Sequence, residues 1–305
     1  MDRIVVIANP AASQFTGGSH RDVMATLDRV ARVEAVWPES AAEATGRAAE
    51  EAAAEADIVV AMGGDGMVHH VSQGLVGTET ALGIIPVGTT NVLARLLKIP
   101  SKPTKAARLL ASDLVPRRLG VARMKLFRGT TETLHYAMFS CGFGLDAAVV
   151  MKADKNPYRK YRFGSLHYLN AALGVALTEF PNRLPHVSLV ADGRESLSTA
   201  AMIQFRSIYT YFGKIPLRLA PGRPEPMTSL TIGRLPRHRI PQIAAAVFAG
   251  RDLGSIDDFE TWTGVNRIEA KADPPVAAQA DGEALGMVDG GVVDWYPDSV
   301  LVIAS

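Results

Sequence analysis

The sequence Ile-Val-Val-Ala-Met-Gly-Gly-Asp-Gly at residues 58–66 decides how the first half of this chain folds. Its first five residues are apolar, which is typical of a strand covered on both faces. Glycines follow, and a helical pattern begins at residue 67. A strand that ends in glycines and leads into a helix presents unpaired backbone N–H groups, which can bind an anion. The stretch therefore predicts a phosphate site at the carboxyl end of a parallel strand.

An aspartate, Asp65, stands among these glycines. A carboxylate beside phosphate groups would repel them unless a cation lay between, so Asp65 favours a divalent cation at this site. The loop is neither a Walker loop, which continues Gly-Lys-Ser/Thr, nor a GxGxxG loop. Considered alone, the glycines are equally consistent with an ordinary tight turn.

The segments on either side of this stretch alternate between strand and helix patterns as far as about residue 115. The predicted strands are residues 4–8, 33–37, 58–62 and 81–85, and the predicted helices are residues 22–31, 41–56, 67–75, 91–98 and 102–111. This alternation indicates a parallel sheet with helices on both faces. We therefore predict an α/β domain at residues 1–115.

The second half of the chain has a different pattern, in which short strands separated by Gly and Pro dominate. The predicted strands are residues 134–141, 186–191, 199–206, 228–232, 265–270, 292–295 and 300–303, and residues 166–177 and 242–248 remain helical in pattern. We therefore predict a mainly antiparallel β domain at residues 116–295.

Polar motifs follow two further strands of the predicted parallel sheet. Asn9, Pro10 and Ser13 follow the first strand, and Gly88-Thr89-Thr90-Asn91 follows the fourth. Because parallel strands end at one edge of a sheet, we expect these residues near the glycine loop. Alone, the second motif is explained equally well by an ordinary capped helix. The late segment Asp281-Gly282-Glu283 is likewise a simple β-turn in isolation.

Composition excludes several classes of protein. The 305 residues carry a formal net charge of +1 and one cysteine. A single cysteine excludes an intramolecular disulfide and multi-cysteine metal sites. The balanced charge argues against a nucleic-acid partner. The N-terminus turns polar early and no run of 18 apolar residues occurs, so we expect a cytoplasmic protein.

Positive charge is concentrated in one part of the chain. Residues 117–162 hold ten Lys and Arg but three acidic residues, and residues 152–162 interleave basic side chains with tyrosines. Such a segment suits an anionic membrane surface, at about 1 kcal/mol per cation. We therefore predict peripheral association with the inner membrane face; the alternative is a solvated loop.

Taken together and in order, these motifs resemble the diacylglycerol kinase and sphingosine kinase catalytic family. The family pattern has Asn-Pro after the first strand, Gly-Gly-Asp-Gly after the third, Pro-x-Gly-Thr-x-Asn after the fourth and a late Asp-Gly-Glu. The segment Gly142-Phe143-Gly144-Leu145-Asp146 also matches it. The resemblance implies an NAD kinase-like α/β domain, an antiparallel β-sandwich that holds lipid, and a return of residues 296–305 to the first domain.

The resemblance implies an ATP- and Mg²⁺-dependent lipid kinase, with diacylglycerol as the leading substrate. The residues implied to contact the nucleotide are Asn9, Pro10, Ser13, Gly63, Gly64, Asp65, Gly66, Gly88, Thr89 and Asn91. Asp65 is implied to face the magnesium ion, and Glu283 to take the proton from the lipid hydroxyl. A sphingoid-type or other lipid alcohol, an NAD kinase, and a nucleotide- or lipid-binding protein without turnover remain alternatives.

The sequence departs from the family pattern at several positions, among them Met67, where the family usually has Thr, and residues 225–230, where an Asp-Gly-x-Leu segment is missing. His69 and His70 stand where the family usually has Asn-Glu, while Val92 and Arg118 stand where bacterial diacylglycerol kinases commonly have Asp. We therefore expect few carboxylates around the metal. Adjacent helical residues point about 100° apart, so we expect the two histidines to contact the nucleotide or lie on the surface rather than chelate one metal.

Overall fold

The computed structural model describes residues 2–112, 115–154, 165–181, 183–213, 215–219 and 226–304. The chain forms two compact units. Met1–Val121 and Tyr296–Ser305 form the first, here called the α/β unit, and Ala122–Trp295 form the second, the β unit. The α/β unit thus extends to Val121 rather than ending at residue 115.

The α/β unit alternates strands and helices from its first residues. Its elements are β1 (Arg3–Ala8), α1 (Gly17–Leu27), β2 (Arg32–Val36), α2 (Ala41–Ala53), β3 (Ile58–Gly63), α3 (Asp65–Leu75), β4 (Ala81–Pro86), α4 (Val92–Leu96) and α5 (Pro103–Leu110). Strand β1 pairs with β2 and β3, and β3 pairs with β4, all in parallel. The parallel sheet predicted from the sequence is confirmed.

Burial of the central strands stabilises this sheet. Every residue of β3 and β4 is buried, as are all residues of β1 after Arg3. Each fully buried Val or Ile side chain contributes about 1.5–3 kcal/mol. The apolar runs therefore hold the three strands in the middle of the unit, and their carboxyl ends share one edge.

Helix α1 begins at Gly17 and ends at Leu27, so the predicted helix at residues 22–31 was wrong at both ends. Thr16 caps the helix, because its hydroxyl accepts the Ser19 N–H at 3.0 Å and Ser19 bonds back to Thr16. Such a capping box fixes a helix start independently of the apolar spacing.

The β unit is built from antiparallel strands and a few helices. Its elements are β5 (Arg117–Arg128), which starts in the α/β unit, β6 (Thr131–Ala137), β7 (Ser140–Phe143), α6 (Leu145–Asp154), α7 (Ser165–Thr178), β8 (Val187–Ala191), β9 (Arg194–Ser198), β10 (Ala200–Gln204), β11 (Thr210–Phe212), β12 (Ile215–Leu217), β13 (Met227–Ile232), α8 (Ile240–Phe248), β14 (Phe259–Val265), β15 (Arg267–Ala280) and β16 (Glu283–Val302). The strand order is β14-β13-β10-β7-β15-β16. Phe143, Phe205 and Trp262 are among the largest side chains of its core.

The sequence predicted one strand at residues 134–141, which was wrong, because β6 and β7 are separate. The Asp281 carboxylate accepts the Met138 N–H at 2.7 Å and the Phe139 N–H at 2.9 Å. These two amides are therefore drawn away from strand pairing, and the chain breaks between Ala137 and Ser140.

The last strand, β16, is longer than predicted, since residues 292–295 and 300–302 belong to one strand that ends one residue before the predicted end at 303. Its C-terminal end lies in the α/β unit, where Leu301 pairs in parallel with Ala81 of β4. The Ser299 carbonyl also accepts the Gly77 N–H at 2.7 Å. The chain therefore returns to the sheet of the α/β unit.

The positive charge of residues 117–162 is partly neutralised by acids from elsewhere in the chain. Arg118 pairs with Glu79 at 2.6 Å, Arg123 with Asp294 at 3.2 Å and Lys152 with Glu179 at 2.9 Å. Residues 155–162, which include Arg159, Lys160 and Arg162, lie outside the described residues. Their association with anionic lipid stays a prediction.

Within the described part of the chain, every helix is too short or too polar to cross a bilayer.

Candidate active site

The glycine loop lies where β3 ends and α3 begins. Gly63 is the last residue of the buried strand, and Asp65 is the first residue of the helix. Gly64 between them supplies no side-chain cap. The N-terminus of α3 is therefore left without a capping side chain, and its backbone N–H groups and helix dipole favour an anion there.

The loops after β3 and β4 contact each other backbone to backbone. A Cβ atom added to Gly88 would collide with the Cα atom of Gly64 and lie 2.9 Å from Asn91 Oδ1. The Val87 N–H donates to the Gly63 carbonyl at 3.0 Å. At position 88 only glycine permits this approach, whereas a Cβ on Gly64 would lie 3.4 Å from the Gly88 Cα, an ordinary contact. Gly88 therefore sets how closely the two loops approach.

Asn91 shapes the second loop. It has a left-handed backbone with φ of 49°, a conformation that Asn tolerates better than most residues. Its Oδ1 accepts the Gly88 N–H at 3.1 Å and its Nδ2 donates to the Gly88 carbonyl at 2.8 Å. Asn91 therefore holds the Gly88 turn closed, while its predicted contact with a nucleotide stays a prediction.

The loop after β1 joins the same edge of the sheet. The Asn9 N–H donates to the Met62 carbonyl at 3.0 Å, and Asn9 Oδ1 accepts the Ala11 N–H at 2.9 Å, around the exposed Pro10. The hydroxyls of Ser13 and Thr89 lie 3.0 Å apart. The predicted nucleotide contacts therefore all lie on three connected loops or on the residues directly next to them.

Asp65 is the first residue of α3 and also contacts the start of α4. Its Oδ1 accepts the Leu93 N–H at 3.2 Å, in the first turn of α4. Among the described residues, no group of three or more His, Cys, Asp and Glu could hold a metal ion. Mg²⁺ in kinases is commonly held by one or two carboxylates together with substrate phosphates. A single carboxylate beside an anion site fits a magnesium ion of that kind.

The acidic turn of the β unit connects β15 to β16. Asp281 and Gly282 both have positive φ, 53° and 82°, as a two-residue hairpin turn of type I′ requires. The buried Asp281 carboxylate accepts three backbone N–H groups, those of Met138, Phe139 and Ser140. Glu283 is only partly buried. Asp281 therefore anchors the turn, and Glu283 is its more accessible acid.

Removing the anchor is expected to destabilise the fold. Asp281→Ala would leave three buried donors without their acceptor, so we expect the free energy of unfolding to fall by about 3–5 kcal/mol. Denaturant titration measures this. The control is Asp289→Ala, which removes a carboxylate that accepts the Gly129 N–H at an exposed turn, with an expected loss of about 1 kcal/mol or less. Equal losses would contradict the anchoring role.

A polar cluster next to this turn was missed at the level of sequence. Asp146 in the first turn of α6 accepts the Tyr209 hydroxyl and, at 2.7 Å, Gln279 Nε2. Burial raises the pKa of Asp146 to about 6, against the opposing effect of these donors. Burial also raises the pKa of Cys141 and Tyr209 well above their ordinary values. Asp146 belongs to the family segment at residues 142–146, but no sequence pattern pointed to Tyr209.

Comparison with known proteins identifies the family of this chain. Residues 3–122 match the diacylglycerol kinase catalytic domain family. The chain is also 45% identical over 261 residues to the diacylglycerol kinase of Bacillus subtilis. The aligned region covers 84% of this chain and 80% of that protein. The chain belongs to the diacylglycerol kinase catalytic family. As a member, it is a kinase of the lipid kinase class.

Solved structures show that this family member has an NAD kinase-like fold, as predicted. A diacylglycerol kinase from Bacillus anthracis superposes with a TM-score of 0.73 at 19% identity, over 100% of this chain and 97% of that one. Yeast NADH kinase superposes with a TM-score of 0.50 at 12% identity, over 100% of this chain and 84% of that one.

Four of the departures from the family pattern have structural roles. His69 is 2% exposed, which contradicts a surface position for it, while its contact with a nucleotide stays a prediction. Its ring lies edge-on to that of His70, with the ring centroids 5.2 Å apart. Val92 is 3% exposed and belongs to the core. Arg118 contacts both carboxylate oxygens of Glu79 at 2.6 Å. In this kinase the side chains of His69 and Val92 are therefore buried, and Arg118 forms an ion pair.

Proposed function

We propose that this family member transfers the γ-phosphoryl group of ATP to the hydroxyl of a lipid, with diacylglycerol as the leading substrate. The observation that carries the proposal is the backbone contact between Gly64 and Gly88. It holds two loops that each lead into a helix N-terminus at one edge of the sheet. Backbone N–H groups held in this way suit the phosphates of a nucleotide.

Asp65 is proposed to hold the magnesium ion that accompanies the phosphates. The ion would neutralise charge that develops on the transferred group. Asp65 suits this role because the Leu93 N–H orients its carboxylate. With one such carboxylate, most of the ion's ligands would be phosphate oxygens and water.

Glu283 is proposed as the general base that accepts the proton of the lipid hydroxyl. An alcohol is a poor nucleophile at neutral pH, so a positioned carboxylate accelerates its attack. The neighbouring acid, Asp281, is occupied by three backbone N–H groups. This leaves Glu283 as the better candidate in the turn.

The reaction is tested with purified protein, γ-labelled ATP and magnesium. The acceptors are diacylglycerol, a sphingoid base, other lipid alcohols and NAD, each presented separately. We expect labelled phosphatidic acid. Label transferred to NAD would favour an NAD kinase. ATP binding without transfer to any acceptor would favour a binding protein.

Asp65→Asn is expected to raise the Mg²⁺ concentration needed for half-maximal rate and to lower kcat. Asparagine keeps an oxygen that can accept the Leu93 N–H, so the fold should persist, but it removes the negative charge that attracts the cation. Initial rates at increasing Mg²⁺ concentration measure the effect. The control is Asp28→Asn at the exposed end of α1. An unchanged Mg²⁺ response in Asp65→Asn would contradict the assignment.

A further inference from the structure

Gln279 uses every hydrogen-bonding group of its side chain. Its Nε2 donates to Asp146 at 2.7 Å and to the Tyr209 hydroxyl oxygen at 3.0 Å, and its Oε1 accepts the Gly282 N–H at 2.9 Å. The residue is 2% exposed. A primary amide has two N–H donors, so both donors are engaged here, and the carbonyl oxygen faces the turn.

The orientation of this amide is determined by Asp146. An ionised carboxylate only accepts hydrogen bonds, so the nitrogen of Gln279, rather than its oxygen, must face Asp146. The Tyr209 hydroxyl donates to the same carboxylate, which leaves its oxygen free to accept from Gln279. The Ala147 N–H donates to the other carboxylate oxygen at 2.8 Å. Each donor therefore has one acceptor. If the amide were reversed, the Gln279 carbonyl oxygen would face the Asp146 carboxylate, and neither group could donate a hydrogen bond.

The Gln279 amide holds the backbone directly before Glu283. Gly282 has φ of 82° and directly precedes Glu283. Its N–H is held by Gln279, while Asp281 on the other side of the turn is held by the backbone of residues 138–140. The turn is therefore held from two sides by partners in different elements, β15 and the break between β6 and β7.

We infer that Gln279, oriented by Asp146 and Tyr209, is a positioning residue that sets the direction of Glu283 for proton transfer. This inference rests on the proposed role of Glu283 as the base. Rigidly held catalytic groups depend on such supporting hydrogen bonds, and a displacement of about 1 Å can cost about a hundredfold in rate. Gln279, Tyr209 and Asp146 touch no reacting atom in this scheme; they act through Glu283.

The test is Gln279→Met, which keeps the length of the side chain and removes all three hydrogen bonds. We expect kcat with lipid to fall about tenfold to a hundredfold, with KM for ATP and for lipid within about twofold of wild type. Hydrogen exchange at the Gly282 amide should become faster, which needs no substrate to observe.

Gln204→Met is the matched control. Gln204 is 1% exposed on β10, which lies two strands from β15 in the same sheet. It too links backbone groups, since its Nε2 donates to the Arg206 carbonyl at 2.7 Å and its Oε1 accepts the Leu219 N–H at 2.9 Å. We expect a similar loss of thermal stability, with kcat and Gly282 exchange unchanged. An equal fall in kcat would show that Gln279 only stabilises the fold, and would overturn the inference.

The double variant Gln279→Met/Glu283→Gln separates positioning from general damage. If Gln279 acts through Glu283, its replacement should cost nothing further once the base is gone. An equal additional loss in that background would overturn the inference. If Glu283→Gln is inactive and Gln279→Met is fully active, the inference about Gln279 is overturned and the proposed base stands. If Glu283→Gln is fully active, the proposed base is overturned as well.

Discussion

Glu283→Gln is expected to lower kcat for lipid phosphorylation by about 10²–10⁴-fold, the usual contribution of a positioned general base. Glutamine preserves the size of the side chain and its capacity to hydrogen-bond, but it cannot accept the hydroxyl proton at neutral pH. The β15–β16 turn is held by the Asp281 carboxylate and the Gln279 amide, which this substitution leaves in place. The fold and the affinity for ATP should therefore stay close to wild type.

Steady-state rates with diacylglycerol and calorimetric binding of ATP measure these two expectations separately. Glu269→Gln is the control, because Glu269 is an exposed carboxylate on β15 that pairs with Arg267 at 2.9 Å. We expect its kcat to match wild type. If Glu283→Gln turned over lipid as fast as this control, another group would have to be the base.

Gly88→Ala is expected to weaken ATP binding by about 10- to 1,000-fold. The added Cβ would collide with Gly64 Cα, so the loops after β3 and β4 must move apart. Hydrogen bonds from backbone N–H groups to a charged phosphate contribute about 1.5–3 kcal/mol each. Misplacing one or two of them corresponds to the expected loss in affinity.

ATP calorimetry measures the change, with circular dichroism to verify the fold. Gly46→Ala in α2 is the control, since a Cβ there meets nothing within 4 Å. Gly64→Ala is the milder variant of the same contact, because its Cβ would lie 3.4 Å from Gly88 Cα. We expect its affinity to fall between those of Gly46→Ala and Gly88→Ala. Folded Gly88→Ala with wild-type affinity would show that the loop pair does not bind the phosphates.

Local sequence was sufficient for the α/β sheet and for the position of the glycine loop. The apolar run of residues 58–62 is typical of a strand covered on both faces, its length favours a strand over a helix, and the glycines after Met62 end that strand. The observed strand, Ile58–Gly63, differs from this prediction by one residue. The order of the motifs along the chain was likewise enough to indicate the family.

Helix and strand ends were less predictable, because contacts outside the apolar pattern set them. Thr16 and Ser19 start α1 earlier than its apolar spacing indicates. A carboxylate far along the chain, Asp281, interrupts the strand predicted at residues 134–141. Such a contact joins residues that no local window contains.

The polar environment of the candidate base was decided by tertiary structure alone. Asp146, Tyr209 and Gln279 are separated by up to 133 positions in sequence, and each alone is an ordinary polar residue. Tertiary structure also decides how much of the charge of a segment is neutralised. The positive excess counted along residues 117–162 leaves out Glu79 and Asp294, which pair with Arg118 and Arg123. Sequence by itself determined which segments form the buried strands of the parallel sheet, because burial follows local periodicity. Only the folded chain decided which polar groups meet, because hydrogen bonds and ion pairs form between groups that strand pairing brings together from distant segments.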